Sequence, residues 1–357
     1  MTTNTCTYRD CAFESSFSRV GSSRWMNDRA LTAKLNAFPF ASRRTIGAIA
    51  GLFVSFTAAT TDAQISLAAL QRDGYGVVEL KRPEPNVLTI IAEIDGRKMR
   101  LIVDTGWGHD GLSLQKEHLS DFRGQSEDLK EFGTSATGKK MANFKKASAK
   151  KVVIGNVELA HVPMFFGRVT GIEHSKVRRS LGADGFLGAG FLRTCSAIVD
   201  LHNLRLYLRP PGKGRRAILG PALQAAGLAE VPFSMGGGNC LVDAELNGAT
   251  GKMVIDTGAS HAGVDKRMAP RMKAHAYKSR TGFIDAAGVI RASELSSLRS
   301  FKIGGLGARA PDIRMLEYGF YTQSGGKVIG VLGMDILGPN GAIIDFGQQK
   351  LYFYAVK

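Results

Sequence analysis

The 357-residue sequence contains only 4 cysteines, 2 tryptophans and 11 prolines. Cys6 and Cys11 lie near the N-terminus, which leaves Cys195 and Cys240 for the rest of the chain. So few cysteines exclude a disulfide framework. Two buried free thiols are the favoured interpretation, although export of the chain would permit one bridge between them. No Cys/His spacing is typical of a zinc site, so the sequence predicts neither a metal nor a cofactor.

Several functional motifs are also missing. No apolar run reaches the roughly 20 residues of a membrane-spanning helix. The sequence has no Walker-type Gly-Lys-Ser/Thr motif and no Gly-x-Ser-x-Gly elbow. The glycines of residues 182–188 are not followed by the helix and acidic residue of a dinucleotide-binding loop. A composition of 44% hydrophobic and 22% charged residues is that of a globular protein, and the length suggests about two domains.

The formal net charge of +16 is spread along the chain. The densest basic stretches are residues 205–216 and the lysines at 139, 140, 145, 146, 150 and 151. No interleaved aromatic residues or helix-turn-helix pattern accompany them, so no nucleic-acid partner is predicted. Solvated basic faces are the favoured interpretation. A module that binds anionic envelope material is an open alternative.

The first 63 residues are typical of a leader. Arg43 and Arg44 precede an uncharged apolar run at residues 45–59, and small residues permit cleavage after Ala63. This pattern predicts an exported protein, periplasmic or secreted, with the leader either removed or kept as a membrane anchor. Met26 is an alternative start site, and a buried core helix is the alternative interpretation of the apolar run.

The remaining chain repeats five elements in one order. In the first half these are residues 101–106 (LIVDTG), 152–155 (VVIG), 185–188 (GFLG), 198–201 (IVDL) and 204–208 (LRLYL). In the second half they are residues 253–258 (MVIDTG), 301–304 (FKIG), 330–333 (GVLG), 343–346 (IIDF) and 350–353 (KLYF). The repeat predicts a duplicated domain, with lobes at residues 64–210 and 230–357 and a linker at 211–229.

Both halves are rich in short β-branched segments and turns. Asp95-Gly96 and Asn247-Gly248 each follow such a segment and predict tight hairpins. Only residues 222–229 and 265–275 have a helical pattern. The predicted fold is therefore all-β, with two β-barrel-like lobes and a cleft between them.

An Asp-Thr-Gly triplet ends an apolar strand in each half, at Asp104 and at Asp256. The glycine that follows permits a tight turn, so that amide N–H groups can face the carboxylate. Residues 186–188 and 331–333 are expected to form a second strand beside each turn. Two lobes related by a pseudo-twofold axis would bring the two carboxylates together.

These motifs resemble those of the pepsin and retroviral-protease class of aspartic proteases, most of all exported bacterial members with two retropepsin-like halves. The resemblance covers residues 87–353. It implies catalytic roles for Asp104 and Asp256, with support from Thr105, Gly106, Thr257 and Gly258. It also implies a polypeptide substrate, a water molecule activated by the two aspartates, and no metal. The lobes would pair within a monomer or across a homodimer.

The resemblance further implies a glycine-bearing flap over the cleft in each half. The matching ranges are residues 132–139 and 281–288, and the substrate-binding positions are Gly133, Thr134, Gly138, Gly282, Phe283 and Gly288. Two flaps are typical of the retroviral dimer, whereas pepsin has one. Neither flap has the tyrosine that pepsin uses.

The first motif departs from the family pattern at Trp107, where the second has Ala259. The tryptophan either lines the cleft or plugs the lobe interface, and it favours an alternative function, a non-catalytic peptide-binding protein. His109 and His261 each lie five residues after an aspartate, and a structural or surface role is expected for both. Because neither Trp107 nor Ala259 has a hydroxyl to donate to a carboxylate, we expect an activity optimum at about pH 5 to 6.5.

Overall fold

The structure is a computed structural model, and it describes residues 65–83, 87–122, 124–169, 181–212 and 214–356. The predicted leader lies outside the described residues. Among those residues, no helix is long and apolar enough to cross a bilayer.

Twelve strands occur among the described residues before 210. They are β1 Gly76–Glu79, β2 Thr89–Ile94, β3 Arg97–Asp104, β4 Leu112–Gln115, β5 Glu127–Leu129, β6 Gly133–Thr134, β7 Lys140–Met141, β8 Phe144–Ile154, β9 Val157–Gly167, β10 Gly185–Gly188, β11 Ile198–Asp200 and β12 Arg205–Leu208.

Thirteen strands follow. They are β13 Ala229–Pro232, β14 Ser234–Gly236, β15 Asn239–Leu246, β16 Ala249–Ile255, β17 Gly263–Asp265, β18 Ala276–Ile284, β19 Ile290–Ser296, β20 Phe301–Ile303, β21 Leu306–Gly307, β22 Ile313–Leu316, β23 Val328–Leu332, β24 Ile343–Asp345 and β25 Lys350–Phe353.

The helices in the described ranges are all short. They are α1 Leu67–Arg72, α2 Ala189–Thr194, α3 Gly220–Ala225, α4 Ala269–Met272, α5 Gly319–Gln323 and α6 Met334–Leu337, with 3-10 helices at Lys116–Asp121 and Lys266–Met268. The prediction of helix at residues 222–229 was partly wrong, because the helix ends at Ala225 and β13 begins at Ala229. Helix was correctly predicted within residues 265–275.

The two predicted hairpins are present, and their turns have the expected chemistry. Asp95 and Gly96 have φ values of 46° and 84°, and Asn247 and Gly248 have φ values of 48° and 88°. Two consecutive residues with positive φ form the turn that matches the twist of a hairpin. The turns join β2 to β3 and β15 to β16, and in each lobe the second strand leads to an Asp-Thr-Gly triplet.

The first lobe is a closed barrel. Its strands are hydrogen-bonded in the order β2-β3-β10-β4-β9-β8-β5, and an additional pairing of β2 with β8 closes the ring. Strand β3 pairs in parallel with β10, so that Leu187 lies beside Val103 and Gly188 beside Asp104. The predicted second strand beside the first motif is therefore present.

The second lobe repeats the strand arrangement around its motif, although among the described residues its sheet is an open path with no closing pairing. Its main path is β18-β19-β22-β17-β23-β16-β15-β20-β21, with β14 paired to β15. Strand β16 pairs in parallel with β23, which places Leu332 beside Ile255. In both lobes the motif strand thus has an antiparallel hairpin partner on one side and a parallel partner on the other.

A six-stranded sheet joins the two halves in the order β1-β12-β11-β24-β25-β13. At its centre the two Ile-x-Asp elements pair antiparallel, with Ile198 opposite Asp345 and Asp200 opposite Ile343. The all-β fold with duplicated barrel-like lobes is confirmed.

Two compositional predictions can be compared with the described residues. Cys195 and Cys240 are buried free thiols. The desolvation caused by burial raises the pKa of the Cys195 thiol to about 12 and raises that of Cys240 as well.

In the lysine-rich stretch, exposed ion pairs neutralise part of the charge: Lys140–Glu131, Lys145–Asp128, Lys146–Glu127 and Lys151–Glu158.

Candidate active site

Asp104 and Asp256 occupy equivalent positions at the ends of the two motif strands. Asp104 is the last residue of β3, and Asp256 directly follows β16. The three residues before each aspartate are almost fully buried, and the aspartates themselves are 1% and 0% exposed. Each carboxyl group therefore emerges from the apolar interior of its own lobe.

Backbone amides hold one oxygen of each carboxyl group. Gly106 N donates to Asp104 Oδ1 over 3.0 Å. Gly258 N and Ala259 N donate to Asp256 Oδ1 over 2.8 and 3.0 Å. These amides fix the orientation of the carboxyl groups and stabilise their charged forms.

The two motifs also contact each other through their glycines. A Cβ atom added at Gly258 would overlap the carboxyl group of Asp104, and one added at Gly106 would overlap that of Asp256. Each carboxyl group thus lies directly against the backbone of the opposite motif. The structure therefore brings the two sequence-predicted aspartates to one place, between the lobes.

Beneath the aspartates, Thr105 and Thr257 join the lobes. Thr105 N donates to Thr257 Oγ1 over 3.1 Å, and Thr257 N donates to Thr105 Oγ1 over 2.9 Å. Each hydroxyl also donates to a carbonyl of the opposite motif strand: Thr105 to Ile255 O and Thr257 to Val103 O, over 2.7 and 2.8 Å. Both threonines are fully buried.

Two hairpins occupy the ranges predicted as flaps. Flap 1 is β6–β7, in which Gly133 pairs with Met141 and Thr134 with Lys140. Flap 2 is the end of the β18–β19 hairpin, in which Gly282 pairs with Ala292 and Phe283 with Arg291.

The flap tips are matching turns. In flap 1, Gly138 N donates to Ser135 O over 2.8 Å. In flap 2, Gly288 N donates to Asp285 O over 3.0 Å. The two glycines have φ values of 84° and 75°, a conformation that favours glycine.

Each flap tip packs against the opposite lobe. Ala136 of flap 1 belongs to an apolar cluster with Ala259 and Phe320 of the second lobe, and its carbonyl accepts a hydrogen bond from Gly319 N over 2.7 Å. Ala286 of flap 2 belongs to a cluster with Trp107 of the first lobe. Both alanines are fully buried, so the flaps are closed over the cleft in this structure.

Trp107 is fully buried and packs with first-lobe aromatic residues. Its ring stacks on Phe186 with a centroid distance of 4.6 Å, and Nε1 donates to Ser113 Oγ over 2.6 Å. The same apolar cluster contains Ile284 and Ala286 of flap 2. The indole thus fills the space between the first-lobe interior and the second flap.

The two histidines that follow the motifs each contact a neighbouring side chain. His109 stacks on Phe132 with a centroid distance of 3.7 Å. His261 Nδ1 lies 3.3 Å from Asp335 Oδ2, and Asp335 also accepts a hydrogen bond from Ala262 N. Within the described part of the chain, no group of three or more His, Cys, Asp or Glu side chains could hold a metal ion.

One polar residue at the cleft was not singled out by the sequence. Asp285 lies at the tip of flap 2, is fully buried, and accepts a hydrogen bond from Thr137 of flap 1. An alignment of Ser135-Ala-Thr-Gly with Asp285-Ala-Ala-Gly could have identified the matching turns. The contact between the two turns depends on how the two lobes face each other. No local sequence motif predicts that placement.

Comparison with known proteins gives a family match in the second lobe. Residues 242–336 match the aspartyl protease family model, and this range includes Asp256-Thr257-Gly258 and Val331-Leu332-Gly333. A search of curated proteins finds no significant match.

Solved structures with detectable similarity have low identity. Basic 7S globulin from soybean has 10% identity and a TM-score of 0.43, over 78% of this chain and 94% of that one. A retropepsin-like aspartic protease from Rickettsia conorii has 19% identity and a TM-score of 0.26, over 38% and 90%. The aspartic proteinase from Irpex lacteus has 12% identity and a TM-score of 0.44, over 79% and 98%.

Two β-barrel lobes, each with an Asp-Thr-Gly turn at the shared cleft, define a two-lobed protein of the acid-protease fold class. The match of residues 242–336 to the aspartyl protease family model lies in the second lobe and includes its Asp-Thr-Gly turn.

Proposed function

We propose that the protein is an aspartic endopeptidase, with Asp104 and Asp256 as its catalytic dyad. The observation that carries the proposal is the reciprocal contact in which each carboxyl group lies against the glycine of the opposite motif. The amide donors on each Oδ1 and the threonine bridge below support it, because both hold the two acids in a fixed relation.

The proposed mechanism follows from the proximity of two acids. Two carboxyl groups in contact cannot both ionise readily, so the pair holds one proton between them. The ionised member takes a proton from a water molecule, which attacks the carbonyl carbon of the peptide bond. The protonated member donates to the carbonyl oxygen. Collapse of the resulting tetrahedral intermediate breaks the C–N bond as the nitrogen gains a proton.

The proposed substrate is an extended polypeptide bound in the cleft between the lobes, under the flaps. The positions with a proposed role in substrate binding are Gly133, Thr134 and Gly138 of flap 1 and Gly282, Phe283 and Gly288 of flap 2. The alternative function, a non-catalytic peptide-binding protein, rests on Trp107. Because its indole packs among Phe186, Phe132 and flap 2, that residue gives no support to a loss of catalysis.

Substitution of each aspartate tests the function. We expect Asp104→Asn and Asp256→Asn each to reduce cleavage of an unfolded protein substrate by about 10³-fold or more, because either acid alone lacks its partner. Asp243→Asn is a matched control, since Asp243 lies on the exposed outer side of the second lobe in an ion pair with Lys252. Circular dichroism verifies that each variant is folded. Substantial turnover by either dyad variant contradicts the shared dyad.

We also propose that the protein acts outside the cytoplasm, based on the charged segment and apolar run before residue 63. N-terminal sequencing of the protein recovered from the envelope or the medium tests this. An intact Met1 on protein recovered only from the cytoplasm refutes export.

A further inference from the structure

A side-chain hydrogen bond joins the tips of the two flaps. Thr137 Oγ1 of flap 1 donates to Asp285 Oδ2 of flap 2 over 2.6 Å. The Thr137 amide lies 3.4 Å from the same oxygen. This contact connects residues 148 positions apart, so it forms only when the two lobes face each other with both flaps down.

Asp285 has donors from both flaps. Its Oδ1 accepts a hydrogen bond from Val289 N of its own turn over 2.8 Å, and its Oδ2 accepts one from Thr137 Oγ1. The side chain is fully buried, and a buried carboxylate is costly unless hydrogen bonds compensate for its lost hydration. The hydroxyl of Thr137 is therefore a substantial part of what stabilises the closed tips.

The pseudo-twofold axis does not repeat this bond. Ser135 occupies the place in flap 1 that Asp285 occupies in flap 2, and its hydroxyl lies 3.1 Å from Thr137 Oγ1 of the same flap. Ala287 occupies the place that matches Thr137, and it has no hydroxyl to donate. One side-chain bond thus joins the two tips where a symmetric pair of flaps could have two.

Asp104 and Asp256 are 1% and 0% exposed, and the flap tips pack in clusters with the residues that follow the two motifs, Ala259 and Trp107. We propose that the Thr137–Asp285 hydrogen bond is a latch that holds the flaps shut and controls how often the cleft opens. Its effect on cleavage rests on the proposed function, but its effect on flap opening does not.

Amide hydrogen exchange of the full chain measures that opening directly. We expect Thr137→Val, which removes the hydroxyl at nearly constant volume, to speed exchange in residues 133–141 and 282–290 by about tenfold, the effect of losing one buried hydrogen bond. Thr137→Ser keeps the donor and should exchange like the wild type. Thr250→Val is the matched control on an exposed position of β16.

The outcome separates the latch from the proposed function. Flap exchange in Thr137→Val that equals that of the wild type and of Thr250→Val overturns the latch. Exchange that is equally fast in Thr137→Val and Thr137→Ser also overturns it, because the hydroxyl is then not responsible. The same comparison in an Asp104→Asn background supports the latch without any catalysis. If the wild type cleaves no polypeptide while Thr137→Val still opens faster, the proposed function fails and the latch stands.

Discussion

The backbone amides of Thr105 and Thr257 each donate to the hydroxyl of the other residue, over 3.1 and 2.9 Å. The two residues are 152 positions apart and belong to different lobes. Because each hydroxyl also donates to a carbonyl across the interface, four buried hydrogen bonds depend on two hydroxyl groups. The same bonds that position the two Asp-Thr-Gly turns therefore also hold the lobes together.

Thr257→Val should destabilise the protein as a whole. The substitution leaves Thr105 N and Val103 O buried without the hydroxyl that serves both, at a cost of about 1–3 kcal/mol for each group. We expect the free energy of unfolding in urea to fall by about 2–4 kcal/mol. Thr257→Ser should recover most of the loss. A Thr257→Val protein as stable as the exposed control Thr250→Val would contradict this role.

Gly258→Ala should abolish most activity while the fold remains. The φ of Gly258 is not positive, so alanine fits the backbone, but its Cβ would overlap the carboxyl group of Asp104. A displaced carboxyl group loses its alignment with its partner, and we expect kcat/KM to fall by about 10²-fold or more. Gly124→Ala is the matched control, because a Cβ there meets nothing within 4 Å. Wild-type kcat/KM in Gly258→Ala would show that the contact is not needed.

Much of this arrangement could be predicted from local patterns. Asp95-Gly96 and Asn247-Gly248 identify hairpins because few other residue pairs adopt two consecutive positive φ values. The repeated apolar strands identify the two lobes. At the end of each strand, a buried carboxylate needs nearby hydrogen-bond donors. Those donors are the amides of Gly106 and Gly258.

Other features could not be predicted. Helices α2, α5 and α6 have four to six residues, too few for a 3.6-residue periodicity to be recognised. The position of the Trp107 indole depends on Phe186 and on flap 2, which are distant in sequence. The bond between Thr137 and Asp285 depends on the relative placement of the two lobes, which the spacing of motifs does not determine.

Asp345 should make stability depend on pH. Burial in the sheet between the lobes raises the pKa of its carboxyl group from 3.8 to about 6, although the amides of Gln348 and Gly347 and the charge of Arg216 oppose the shift. Between about pH 4 and 6 the folded protein holds a proton that the unfolded chain releases. The contribution of Asp345 to the free energy of unfolding is therefore greatest below pH 4, and it falls by about 3 kcal/mol as the pH rises to 6.

Comparison with Asp345→Asn isolates this contribution. Asparagine keeps an acceptor for the Gln348 amide, which donates to Asp345 Oδ1 over 3.0 Å, but it does not ionise. We expect the stability difference between the wild type and Asp345→Asn to change between pH 4 and 6 and to be constant above pH 7. His118, whose pKa the hydrogen bond with Asp184 raises, affects both proteins equally and cancels. A difference that does not vary with pH would exclude Asp345 as its origin.

Ala259→Ser should move the pH–rate profile toward acid. Ala259 is fully buried beside Asp256, and its amide already donates to Asp256 Oδ1 over 3.0 Å. A serine hydroxyl at this position adds a second donor from the same residue, and a donor stabilises the charged form of a carboxyl group. From the wild-type optimum expected at about pH 5 to 6.5, we predict that the acidic limb of kcat/KM shifts down by about 0.5 to 1 pH unit.

Ala244→Ser is the control for the added hydroxyl, since Ala244 is a buried alanine of the same lobe on β15. It should lower stability without moving the pH–rate profile, because neither aspartate of the proposed dyad lies beside it. A profile of Ala259→Ser that coincides with that of the wild type, measured on one peptide substrate, would mean that the missing hydroxyl does not set the optimum. A wild-type optimum below about pH 4 would also show that the missing hydroxyl does not set the optimum. The proposed dyad would then ionise in strong acid without the extra donor.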